Sequence, residues 1–195
     1  HDAIPLHLAK DAVTCLQDIR ATHPEIVIGA VTDGNADPSS VPDLAGLFDF
    51  CINAEMVGVS KPDKRVYLRA VTEALRHPSL QHLAVSEHND DDALEEMVGP
   101  WWVHVGDDFV KDIVAAKDLR MRSIWARELV LDKLLSTKQE SVPQTRPLED
   151  FVRDVAEKQV IEMGVGATDY LADSLQKEFA DAVAHDFRSV ASILK

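Results

Sequence analysis

Only two of the 195 residues are cysteine, Cys15 and Cys51. Both sit in apolar surroundings and neither belongs to a CxxC pair, so buried reduced thiols are expected, and a disulfide framework or thiolate metal site is not. Basic residues are also scarce: 20 Lys and Arg stand against 34 Asp and Glu, a net charge of −14. Without a basic patch the chain is no candidate for gripping a nucleic-acid backbone. An anionic small molecule would need local help from a metal or a helix N-terminus. No apolar run approaches the ~20 residues of a membrane span, so no membrane partner is expected, and no secretory leader is visible. No Gly-rich phosphate loop follows a strand, which weakens a dinucleotide-binding reading. Internal repeats and low-complexity segments are missing too. The first residue is His1, not Met, and the expectation is that something upstream has been removed or is absent. The expected compartment is the cytoplasm, or a plastid if a transit peptide precedes this chain.

What is there is ordinary for a globular protein: 46% hydrophobic and 28% charged residues. The length suffices for one α/β domain with a real core. The most informative stretch is 103–125, VHVGDDFVKDIVAAKDLRMRSIW. An apolar run is stopped by Gly106, and Asp107, Asp108 and then Asp112 follow. Ile113, Val114, Ala116 and Leu119 recur at helical spacing before a second apolar run at 123–126. This reads as strand, acidic loop, helix, strand. Carboxylates at the carboxyl end of a parallel strand suit a hard cation such as Mg²⁺. They equally suit a helix N-terminus, whose dipole favours negative charge.

Upstream, 9–20 reads as a helix stopped by His23-Pro24, and 25–31 (EIVIGAV) as a buried parallel strand running into Thr32-Asp33-Gly34-Asn35. Taken alone, Thr32 is a turn hydroxyl. Residues 50–53 (FCIN) form a brief strand. Lys61 stands just before Pro62, which suits the first turn of a helix continuing through 66–75. A lysine at that end needs an anion nearby, or else is a solvated surface residue. The acidic stretch 87–96 reads as a solvated loop with a short helix, and its spacing fits no EF-hand. After Trp125, residues 128–179 form a helical insertion with breaks at 136–147 and 164–166. Leu131, Leu134, Leu135, Phe151, Val155 and Leu171 supply its apolar face, packed on its own domain or offered to a protein partner. A short edge strand at 182–184 and a helix at 189–194 close the chain.

Thr32 after a strand, Lys61 in SKPDKRVY, and Gly106-Asp107-Asp108 with Asp112 resemble the second, third and fourth motifs of the haloacid-dehalogenase-like hydrolase superfamily. The likeness covers about residues 5–126 and 180–195. The stretches AVTDGNADP, LFDFCINAEMVGVSKPD and WWVHVGDDFVKDIVAAK look like the subgroup of phosphatases acting on flavin mononucleotide and on a phosphorylated intermediate of riboflavin synthesis. That subgroup commonly has Asn where this chain has Asp33, and Gly where it has Arg120, a change placed at a helix end.

The resemblance implies a Rossmann-like α/β fold with a mainly parallel sheet and flanking helices. It divides the chain into a partial core at 1–127, the helical insertion at 128–179, and the last core strand and helix at 180–195. It implies a Mg²⁺-dependent phosphatase that passes through an aspartyl-phosphate. Asp107 would be the metal ligand, assisted by Asp108. Thr32 and Lys61 would hold phosphate oxygens, with Asp33 and Gly34 in the substrate loop, and Asp112 would orient Lys61. The family's first motif, a strand ending in Asp-x-Asp with the nucleophile, is missing from the chain. Asp90–Asp92 follows no apolar strand and is rejected for that role. The chain alone is therefore expected to be inactive. The rival reading is a non-catalytic binding or scaffold subunit.

Overall fold

Helix α1 spans Leu6–Thr22. His23 N–H still bonds the Ile19 carbonyl, at 2.8 Å, and Pro24 then lacks the N–H to continue. Cys15 and Ile19, one turn apart, are buried on one face of α1. The structure, a computed structural model, describes residues 6–34, 37–83, 91–126, 178–184 and 186–194. The expected helical insertion at 128–179 lies outside them except at its last two positions, and so does the first part of the acidic stretch at 87–96.

Strand β1, Gly29–Thr32, is shorter than the apolar run that feeds it. Its partner sets the limit. The parallel register with β2, Phe50–Asn53, begins at Gly29↔Phe50. Just before it, Asp49 takes over the pairing with Ile28. Its side chain accepts the Ile28 N–H at 2.7 Å and an Arg20 N–H at 2.5 Å, and its own N–H bonds the Ile28 carbonyl. At the pair itself the Phe50 ring occupies the space a side chain at position 29 would need, so an aromatic covers the glycine across the strands.

Asn53 caps the one-turn helix α2, Ala54–Val57, which ends at Gly58 in the left-handed region (φ 81°). Helix α3, Lys64–Ala74, starts later than the Pro62 pattern suggests, because the Asp63 carboxylate accepts the Arg65 N–H and serves as N-cap. Pro62, joined to Lys61 by a cis bond, therefore lies outside the helix. Helix α4, Asp91–Met97, follows, then β3, Val103–Gly106. A turn of π-helix, Phe109–Val114, passes into α5, Ala115–Asp118. Strands β4, Arg122–Ala126, and β5, Ala182–Ala184, precede the closing helix α6, Phe187–Ile193.

Among the described residues every pairing is parallel, and the strands fall into two groups, β1-β2 and β3-β4-β5. Among the described residues no ladder joins β1 to β3. Helices cover both faces, as parallel sheets require. Val66, Tyr67, Leu68 and Val71 of α3 pack with Ile52, Ala116, Leu119 and Met121 in one cluster. Cys15 and Ile19 pack with Ile124, Ala184 and Val190 in the other. No helix among the described residues is long and apolar enough to cross a membrane.

Helix α5 ends on Arg120 at φ 58°, the one non-glycine left-handed residue among those described. Arg120 N–H bonds the Lys117 carbonyl, and Met121 N–H bonds the Ala116 carbonyl. That is the Schellman arrangement, in which glycine is the favoured residue. A side chain in this region costs on the order of 1–2 kcal/mol. Arg120→Gly should therefore raise stability by about 1 kcal/mol, less what is lost with the exposed Arg120–Glu95 carbonyl bond. Urea denaturation reads this directly, and a destabilised variant would show that the bond to Glu95 outweighs the strain.

Candidate active site

The parallel strands bring three loops to one edge. Thr32, Asp33 and Gly34 leave the carboxyl end of β1, Lys61 lies between β2 and α3, and Asp107 and Asp108 leave β3. Two ion pairs tie these loops together. Lys61 Nζ lies 2.6 Å from Asp112 Oδ1, with the two side chains only 13% and 4% exposed. Lys111 Nζ lies 2.9 Å from Asp33 Oδ2. Residues adjacent in the π-turn thus reach partners 51 and 78 positions away.

Asp112 is a junction. Its Oδ1 also takes a hydrogen bond from His104 Nε2 at 3.2 Å, and its Oδ2 accepts the Asp108 N–H at 3.1 Å. Burial works to raise its pKa, but the His104 bond and the Lys61 ammonium outweigh burial and hold it at about 2. The carboxylate fits there because position 106 is glycine: a Cβ on Gly106 would overlap the Asp112 carboxyl group and its Cβ. Tyr67 stands edge-on to the His104 ring, at 5.3 Å between centroids, and its hydroxyl donates to the Lys111 carbonyl. Burial, then the charges of Asp112, Asp33 and Asp108, push the Tyr67 phenol well above its ordinary range.

Asp33 uses both oxygens. Oδ1 accepts the Lys61 backbone N–H at 2.8 Å, and Oδ2 takes Lys111 Nζ. Desolvation opposes its ionisation, yet the Lys111 bond, the Lys61 N–H and both ammonium charges lower its pKa overall. The same bond to Asp33 raises Lys111. The Thr32 hydroxyl donates to the Gly34 carbonyl at 2.9 Å, so here it closes the turn. Asp108 Oδ1 accepts the N–H groups of Val110 and Lys111 and caps the π-turn. The Asp107 carbonyl accepts Trp125 Nε1–H at 3.2 Å, and Trp125 meets Phe109 edge-on.

His104, Lys111 and Tyr67 belong to this site and were not singled out by sequence. The signal for His104 was a lone polar residue between Val103 and Val105 in a strand with a buried face. Lys111 had none, because its partner is remote.

Among the described residues no group of three or more His, Cys, Asp or Glu side chains could hold a metal. Mg²⁺ commonly keeps several waters and takes one or two carboxylates besides a substrate phosphate. A carboxylate leaving the end of β3 is the kind of donor such a sparse set uses, and one Asp108 oxygen is committed to its cap.

No family model and no curated protein matches the chain. Solved structures do. The chain is similar to a 2-haloacid dehalogenase from Pseudomonas syringae pv. Tomato DC3000, with 22% identity and a TM-score of 0.50, over 94% of this chain and 51% of that one. It is also similar to a HAD phosphatase from Thermococcus onnurineus, with 18% identity and a TM-score of 0.51, over 94% and 56%. The fold is haloacid-dehalogenase-like. The chain spans about half the length of these two proteins.

Two outcomes follow for Asp112. Gly106→Ala should cost on the order of 1–3 kcal/mol, because the overlap includes the Asp112 Cβ, which no side-chain rotation can move. A neutral result in thermal or urea unfolding would mean that the turn yields. Second, a carboxylate at about 2 when folded, against an ordinary 3.8, stabilises the fold above roughly pH 4. That contribution, about 2 kcal/mol, disappears as pH falls through the folded value. Wild type should therefore lose stability faster than Asp112→Asn between about pH 4 and 2, and parallel pH profiles would contradict it.

Proposed function

We propose that the intact protein is a Mg²⁺-dependent phosphatase of the haloacid-dehalogenase-like type. Its substrate would be a small phosphorylated metabolite, with flavin mononucleotide or a riboflavin-pathway phosphate favoured by the sequence likeness. The observation that carries this reading is the half-buried Lys61 ammonium, fixed by Asp112 at the edge where Thr32 and Asp107 also emerge. An ammonium has three N–H donors. Asp112 takes one, and a phosphoryl oxygen can take another while charge builds in the transition state. Thr32 supports the loop that faces the same oxygens. Asp107 would hold Mg²⁺, which supplies charge neutralisation between an attacking carboxylate and the phosphate.

The nucleophile in this reading comes from outside the chain. An upstream aspartate attacks phosphorus, the alcohol leaves, and water then opens the aspartyl-phosphate. Its strand would pair with the inner edges of β1 and β3. Within the chain, Asp91 and Asp92 open helix α4 and end no strand. That supports the rival reading, a non-catalytic binding or scaffold subunit, if the upstream segment also lacks an Asp-x-Asp.

With the upstream segment present, flavin mononucleotide and an aryl phosphate should be hydrolysed with Mg²⁺ and not with excess EDTA. Lys61→Ala and Asp107→Asn should each lower turnover at least ~10²-fold. The 195-residue chain alone should show none. Turnover by that chain alone would mean a nucleophile within it, and an inactive intact protein would favour the scaffold.

A further inference from the structure

Four charged residues close a circuit across the two strand groups. Asp112 holds the Lys61 ammonium, the Lys61 backbone N–H bonds Asp33, Asp33 holds Lys111, and Lys111 precedes Asp112 in the chain. Lys61 is therefore gripped at both ends, side chain by Asp112 and main chain by Asp33. Proline follows it and has no N–H, so the donor that Asp33 takes is the one the Lys61-Pro62 step can give.

We propose that Asp33 and Lys111 are positioning residues for Lys61, with Asp33 fixing its backbone and Lys111 cancelling the charge Asp33 brings to the site. This rests on the phosphatase reading. A carboxylate beside an arriving phosphate repels it. With both oxygens engaged and an ammonium at 2.9 Å, Asp33 anchors the loop without that repulsion. The pair serves poorly as a stability device, since Lys111 is 44% exposed and such surface pairs contribute little. Its value lies in where it puts Lys61 and in the charge it removes from the phosphate-facing edge.

The two roles separate by mutation in the intact protein. Lys111→Met removes the ammonium paired with Asp33 and leaves its charge balanced only by Lys61, so orthophosphate binding measured by calorimetry should weaken roughly tenfold. Adding Asp33→Asn to Lys111→Met should restore most of that loss, because the charge goes and the acceptor for the Lys61 N–H stays. A purely structural pair would give no such rescue. Hydrogen exchange of the Lys61 amide provides a readout independent of phosphate: protection should survive Asp33→Asn and vanish in Asp33→Ala. Equal exchange in Asp33→Ala and wild type, or a double variant no better than Lys111→Met, overturns the proposal. If the intact wild type binds no orthophosphate, the phosphatase reading fails, and the exchange result alone decides whether Asp33 positions Lys61.

Discussion

The Asp112 carboxylate accepts from a lysine ammonium, an imidazole and a backbone N–H, each delivered by a different part of the chain. Taking a carboxylate out of water is costly unless its oxygens are satisfied. Here the satisfying groups are the ones that define the edge. Lys61 comes from the loop before α3, His104 from β3, and Asp108 from the acidic turn. Removing the carboxylate would leave a half-buried ammonium without its partner, a destabilising way to break such a pair. Gly106 and Tyr67 fit the same scheme, one by leaving room for the side chain and the other by packing against its histidine.

The split between strand groups gives these charges more to do than they would have in a continuous sheet. β1 and β3 are each paired on one side only among the described residues. At the carboxyl edge the two groups are linked by side chains, Lys61 with Asp112 and Asp33 with Lys111. Below the edge, α3 reaches both: it packs on Ile52 of β2, and its Tyr67 meets His104 of β3. Among the described residues the charged edge is therefore held together by side chains and not by a ladder between β1 and β3.

Much of this was legible in sequence because the signals were local. The run at 50–53 is the observed β2, and the alanine-valine step at 182–184 is the observed β5. Glycine followed by acidic residues marked the turn after β3. The lysine before Pro62 reads either as needing an anion or as a solvated surface residue, and its ammonium lies 2.6 Å from Asp112, the residue the resemblance implies, 51 positions away. What could not be read was decided by partners. β1 is short because Asp49, not an apolar residue, meets Ile28. Helix α3 begins at Lys64 because Asp63 outcompetes Pro62 as its start. His104 and Lys111 joined the site through contacts that no spacing rule encodes, whereas the Thr32 hydroxyl closes its own turn, which is how it reads when taken alone.

The joint between β4 and β5 is fastened apart from these contacts. Ser123 N–H bonds the Asp181 carboxylate, Asp181 N–H bonds the Ser123 carbonyl, and the Ser123 hydroxyl bonds the Phe179 carbonyl. The chain is thus fastened where it returns, next to where β4 began, whatever the length of the connection. Asp112 and Lys61 are held by other elements, so this serine joint fixes the return of β5 beside β4 independently of the charged edge.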